Sequence, residues 1–224
     1  MKLLKTTAIA GLLAASGAAT AVEISGNIAL TSDYMWRGIS QTDGSPAIQG
    51  GFDATFDSGF YAGIWGSNVD FKDAAGVSSD ESLEIDTYVG WAGEFSGVGV
   101  DVGVLNYHYP TADDGTNFTE AYTGVSLGPV SLTYYMGLDL GDENMGDTNV
   151  GDYTDLGVDF GEFSGVSFSA HYGHYDLRGA DNYDDWKIAA STSFMDVDFE
   201  LAYVDQDGDS DENEQVVFTV SKSL

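Results

Sequence analysis

The chain has 224 residues, with 37 Asp and Glu against 7 Lys and Arg and a formal charge of −30. Nucleic acid and anionic surfaces are poor partners for such an excess of acid, and the absence of cysteine rules out a disulfide framework. With 29 glycines and 13 tyrosines but only 3 prolines, the composition suits hydrogen-bonded strands better than a disordered tail.

Residues 1–21 have the form of a secretory signal peptide: a basic start at Lys2 and Lys5, an apolar run over Ala8–Ala15, and a small-residue site at Ala19-Thr20-Ala21. The apolar run is too short for a spanning anchor, so cleavage is expected near Ala21. Removing Lys2 and Lys5 leaves 5 basic against 37 acidic residues, a formal charge near −32. No composition shift divides residues 22–224, which read as one domain.

Twelve strands are expected, over about 23–36, 46–57, 60–71, 81–95, 98–109, 118–128, 130–140, 151–163, 166–177, 183–194, 197–206 and 213–223. The fourth and fifth show the pattern best. Leu83, Ile85, Val89, Trp91 and Phe95 alternate with Glu84, Asp86, Gly90 and Glu94; after Ser96-Gly97, Val98, Val100, Val102 and Val104 alternate with Gly99, Asp101 and Gly103. Period-two alternation makes one face apolar and the other polar, and Ser-Gly between two such runs signals a hairpin.

The connections alternate in length. Ser58-Gly59, Ser96-Gly97, Gly128-Pro129, Ser164-Gly165 and Met195-Asp196 are tight, whereas Arg37–Ser45, Lys72–Asp80, Pro110–Asn117, Gly141–Val150, Arg178–Asn182 and Asp207–Glu212 are longer and more polar. An even strand count with short turns on one side and long loops on the other is the outer-membrane pattern; a Greek-key sandwich has no reason to alternate so regularly. Eleven residues at ~3.3 Å rise, tilted by about 40–45°, span roughly 25 Å, the height of the apolar band. Aromatics gather at both strand ends: Tyr34, Trp36, Phe71, Tyr107, Tyr109, Phe118, Tyr153, Tyr175, Tyr183 and Trp186 on the long-loop side, and Phe56, Phe60, Phe95, Phe160, Phe163, Phe194 and Phe199 on the short-turn side. Both groups are expected to form interfacial girdles. The expected fold is therefore all-β: a single antiparallel up-and-down transmembrane β-barrel in the outer membrane, in contact with lipid and lipopolysaccharide. A soluble exported β-protein is the competing reading.

The last strand alternates Val216, Phe218, Val220, Lys222 and Leu224. Outer-membrane proteins usually end on an aromatic residue that the assembly machinery, an expected partner, reads; this chain ends on Leu224.

Residues 31–71 carry a "TSDY-x-x-RGISQTD…PAIQGG-D…SGFY-G-WGSNVDF" pattern at Thr31–Tyr34, Arg37–Asp43, Pro46–Gly51, Asp53, Ser58–Tyr61, Gly63 and Trp65–Phe71. In this the chain resembles the proteobacterial TorF-type porin family. The resemblance implies an outer-membrane barrel with a pore function and supplies neither a substrate nor catalytic residues.

With the apolar rows turned to lipid, the lumen holds Asp53, Glu84, Asp86, Glu94, Asp101, Glu120, Asp139, Asp155, Asp159, Asp198 and Glu200, with Lys187 as the base among them. Rings of acid favour cations in a pore; the plainer reading is a solvated acidic face without selectivity. Twelve strands enclose a narrow lumen, so the expected function is passive diffusion of ions or small solutes, biased toward cations. Arg37, after the first strand, is the constriction candidate. The alternative is a closed structural or adhesive barrel, its lumen plugged by Arg37–carboxylate contacts.

No cofactor is expected, and catalysis is not. Ser and His residues are present, but H-E-x-x-H is not. His171 and His174 fall on opposite faces of one strand and cannot chelate one metal together, while His108 reads as a girdle residue. Asp205, Asp207, Asp209 and Asp211 could form a weak divalent site, but the run fails the EF-hand template because Ser210 stands at position six and Val216 at position twelve.

Overall fold

A computed structural model of the chain describes residues 22–71, 81–110, 116–139, 150–208 and 214–224. The barrel strands are β1 (Val22–Thr31), β4 (Ala47–Phe56), β5 (Phe60–Asn68), β6 (Leu83–Phe95), β7 (Val98–His108), β8 (Phe118–Leu127), β9 (Val130–Leu138), β10 (Asp152–Phe163), β11 (Val166–Asp176), β12 (Tyr183–Phe194), β13 (Val197–Gln206) and β14 (Gln215–Ser223). Each pairs antiparallel with its chain neighbours, and β1 closes on β14 with Thr31 opposite Thr219 and Asn27 opposite Ser223. The fold is a closed twelve-stranded antiparallel barrel, which leaves no sheet edge unpaired.

Two short strands, β2 (Met35–Trp36) and β3 (Ile39–Ser40), pair only with each other. This corrects the expected first strand: β1 stops at Thr31, and Met35 and Trp36 belong to a separate hairpin. The segment leaves the wall because Asp33 gathers it into a turn. Asp33 Oδ1 accepts from Ser40 Oγ at 2.6 Å and Thr42 Oγ1 at 2.9 Å, and Thr42 Oγ1 in turn accepts from the Tyr34 backbone N–H at 3.0 Å.

The tight turns follow from backbone chemistry. Ser96-Gly97, Ser164-Gly165 and Met195-Asp196 have positive φ at both central positions, from 52° to 85°, as type I′ hairpins require. The wall is inside-out by the standard of a soluble domain. The largest fully buried side chains are Glu84, Glu120, Thr42, Asp185 and Ser67, whereas Ile24, Phe163 and Leu201 are 72%, 76% and 54% exposed. Leu83, Val102 and Phe168 lie on the outer surface, while Asp86 is buried. One bulge, between Asp159 and Gly161, interrupts the β10–β11 register and sets Phe163 on the exterior with Phe160.

Candidate functional site

The β2–β3 hairpin lies inside the barrel at the long-loop end. Arg37 and Gly38 form its two-residue turn, with φ of 48° and 78°. Glycine is required at the second position for space as well as conformation: a β-carbon on Gly38 would stand 2.7 Å from Asp185 Cβ and 2.9 Å from Gln206 Cβ, on the β12–β13 wall. The Tyr183 hydroxyl donates to the Arg37 carbonyl at 3.1 Å, and the Asp70 N–H donates to the Gln41 carbonyl at 2.9 Å. The hairpin thus touches opposite sides of the barrel.

Arg37 fills the centre of this layer. Its two terminal nitrogens donate to the two carboxylate oxygens of Glu120, Nη1 to Oε1 at 2.8 Å and Nη2 to Oε2 at 2.7 Å; the side chains are 5% and 0% exposed. Four rings surround the guanidinium carbon, Tyr153 at 4.3 Å, Trp36 at 4.4 Å, Tyr175 at 4.8 Å and Tyr135 at 5.2 Å. A desolvated cation against aromatic faces gains roughly 2 kcal/mol or more, and the bidentate fork adds directionality. Burial by itself would lower the Arg37 pKa, but Glu120 and the neighbouring tyrosines outweigh it and hold the guanidinium firmly charged.

Beside this pair stand two more buried carboxylates. Glu84 Oε1 accepts from the Tyr34 hydroxyl at 2.8 Å, and Tyr107 donates to Glu120 Oε2 at 3.2 Å. Asp86 Oδ1 is buried with no hydrogen-bond partner among the described residues. Burial, then Glu84 and Asp86, push the Tyr34 hydroxyl pKa well above its usual value, so it stays a donor. Packing completes the layer: Trp36 contacts Tyr107 and Phe118 on one side and Tyr175 on the other, and Tyr34 meets Trp65 edge-on at 5.5 Å.

Toward the short turns the lumen is more open. Tyr61 donates to Asp101 at 2.6 Å and hydrogen-bonds the Tyr122 hydroxyl, and Tyr88 donates to Asp53. Against the Arg37 cage at the long-loop end, His171 lies between two carboxylates, Nδ1 at 3.0 Å from Asp155 Oδ1 and Nε2 at 2.9 Å from Asp185 Oδ2; Asp185 Oδ1 also accepts from Tyr153 at 2.8 Å. Lys187 pairs with Glu200. Inward glycines make room for the rings. A β-carbon on Gly63, Gly90 or Gly103 would collide with Tyr88, Tyr61 or Tyr122, the residue opposite it in register.

The register places Asp53, Glu84, Asp86, Glu94, Asp101, Glu120, Asp155, Asp159, Lys187, Asp198 and Glu200 on the inward rows. Glu94 is exposed at the short-turn rim. Asp139 departs from the expectation: it lies one residue past β9 and is exposed, because the strand ends at Leu138. Arg37, Glu84, Asp86 and Glu120 come together in one layer; the lower carboxylates are spread around the wall.

The expected long-loop girdle is also corrected. Tyr34, Tyr107, Tyr109, Phe118, Tyr153, Tyr175 and Tyr183 are buried inside, and Trp36 and Phe71 pack against them. The outer surface there carries Trp186, as expected, together with Tyr134, Tyr172 and Tyr203. On the short-turn side Phe56, Phe60, Phe95, Phe160, Phe163 and Phe194 do face outward. Sequence reasoning missed the inward tyrosines, Asp185 and His171 as lumen groups. The signal was parity: Tyr88 shares the row of Glu84 and Asp86, Tyr122 that of Glu120, and Tyr153 that of Asp155.

His174 and His108 are on outward rows, and His174 Nδ1 contacts Asp184. Of the candidate divalent site, Asp205 accepts from Tyr203 at 3.2 Å and Asp207 from the Asp184 N–H at 2.7 Å; Asp209 and Asp211 lie outside the described residues. No cluster of three ligating side chains occurs among the described residues.

A family model described as "Bacterial protein of unknown function (Gcw_chp)" matches residues 15–224. No curated protein matches the chain. Among solved structures, the chain is similar to the KdgM porin at 8% identity and a TM-score of 0.56, covering 90% of this chain and 97% of that one. A chain from a study of in-meso crystallisation of membrane proteins gives a TM-score of 0.57 at 8% identity, covering 90% and 83%. At these identities the likeness bears on the barrel fold alone.

Proposed function

The chain belongs to the Gcw_chp family of bacterial proteins, and from that premise we propose that it is an outer-membrane barrel serving as a narrow, cation-biased conduit for ions or small solutes. The observation that carries this reading is the inverted wall: Ile24, Phe52, Leu201 and Phe218 turned outward and Asp53, Glu84, Asp101 and Glu200 turned inward on a closed sheet. An exposed apolar belt of this kind is matched to hydrocarbon, and enclosed carboxylates lower the potential for cations. The KdgM likeness agrees with such a barrel, and the chain's acidic interior supplies the cation preference. The protein contributes a lumen and its electrostatics, not bond chemistry.

Arg37 and Glu120 form the constriction in this reading. Outer-membrane barrels keep short turns on the periplasmic side and long loops outside, so the hairpin narrows the extracellular end. Lipid and lipopolysaccharide are the expected surroundings and the outer-membrane assembly machinery the expected folding partner.

A planar bilayer holding the refolded protein under a potassium chloride gradient tests the proposal. The expected result is discrete conductance steps with a reversal potential on the cation side, and larger steps for Arg37→Ala. Anion-side reversal would overturn the bias. One observation favours a second reading, a sealed barrel with a structural or adhesive role: the fully buried Arg37–Glu120 pair amid packed rings. That reading expects silent bilayers for the wild type and for Arg37→Ala alike.

A further inference from the structure

Glu120, Tyr135, Tyr153 and Tyr175 belong to four consecutive wall strands, β8 to β11. The cation they surround does not; it arrives on the inserted hairpin. The wall alone therefore presents a carboxylate flanked by aromatic faces, which is the chemistry of a cation receptor. The contact geometry narrows the class. Each Glu120 oxygen takes a different nitrogen of one planar group, at 2.8 and 2.7 Å. A guanidinium meets that fork while stacking on rings; potassium or a quaternary ammonium cannot.

Toward the short-turn end the cage adjoins a chain of contacting polar side chains. Asp101 holds the Tyr61 hydroxyl, Tyr61 bonds Tyr122, and the Tyr122 ring is 5.7 Å from Tyr135, itself a wall of the cage. The inward bases of the described wall strands, Lys187 and His171, are already paired, Lys187 to Glu200 and His171 to Asp155 and Asp185. We infer that the cage of Glu120, Tyr135, Tyr153 and Tyr175 is a receptor for a guanidinium-bearing solute, with Arg37 as its tethered occupant, and that a competing solute releases the hairpin and opens the barrel. This rests on the conduit reading and names its solute class and its gate. The gate is shut while the tether is seated, and the arriving guanidinium replaces Arg37 group for group.

The test uses methylguanidinium, with methylurea as its neutral counterpart and potassium as a spherical cation. Calorimetric titration of the refolded Arg37→Ala barrel in detergent is expected to give saturable methylguanidinium binding, at least tenfold tighter than methylurea, and lost in Arg37→Ala/Glu120→Gln. In wild-type bilayers, methylguanidinium is expected to raise the open probability severalfold where added potassium does not. Equal binding of the three probes, or binding that survives Glu120→Gln, overturns the receptor. Should Arg37→Ala refold only with methylguanidinium present, that rescue supports it. Should it not refold at all, Arg37→Lys takes its place, since a lysine occupant lacks the fork and must yield to methylguanidinium at lower concentration than Arg37 does; failure to yield overturns the proposal. Conductance without discriminating binding removes the receptor and leaves the conduit. Discriminating binding with silent bilayers removes the conduit and the gate and keeps the receptor.

Discussion

The two ends of this barrel are made of similar residues used in opposite directions. At the short-turn end the aromatics are mostly phenylalanines pointing outward, and the lumen opens on carboxylates such as the exposed Glu94. At the long-loop end the aromatics are mostly tyrosines pointing inward, packed round an ion pair that is 5% and 0% exposed. A phenylalanine has no polar handle, so its favourable place on a closed acidic barrel is the apolar exterior. A tyrosine hydroxyl can serve a buried carboxylate, as Tyr34 does for Glu84 and Tyr153 for Asp185. The contrast teaches that the barrel's stability is concentrated in a polar core at one end, while the other end is free to hold water.

Breaking the sealed end should have the largest effect. Glu120→Ala leaves a buried guanidinium without its counter-ion and is expected to destabilise the barrel by about 3–5 kcal/mol, read as a lower urea midpoint for the folded band on unheated gels. Gly90→Val is next. Its side chain would meet the Tyr61 ring, and the overpacking should cost about 1–3 kcal/mol in the same assay. Tyr34→Phe removes the hydroxyl that serves Glu84 and is expected to cost about 1–2 kcal/mol. At the open end the comparison predicts gains. Met195 and Asp196 hold φ of 52° and 58°, so replacing the pair with Asn-Gly should stabilise by about 0.4–1 kcal/mol. Glu94→Gln should move stability by less than about 0.5 kcal/mol, yet shift the bilayer reversal potential toward zero. A large loss of stability from Glu94→Gln, or none from Glu120→Ala, would erase the distinction between the ends.

Much of the fold is legible in the residues. The tight turns at Ser96-Gly97, Ser164-Gly165 and Met195-Asp196 fall where read, and alternation assigns Glu84, Asp101 and Glu120 to the inner face. The site is less so. Trp36 continues the apolar rhythm of the first strand, and nothing in its local pattern announces that Asp33 withdraws the chain from the wall two residues past Thr31. Tyr107, Tyr153, Tyr175 and Tyr183 lie near strand ends, a position that points to the membrane interface, whereas parity sets them on the inner face.

Period-two patterning and turn chemistry are local, since each residue's face follows from its immediate neighbours. For that reason the strand count, the closed sheet and the acid on its inner rows follow from the residues alone. That Arg37 meets Glu120, 83 positions away, and that rings from separate strands enclose them, emerges only in the folded barrel. Those contacts depend on how the closed sheet sets distant strands across a lumen, a separation no local pattern encodes.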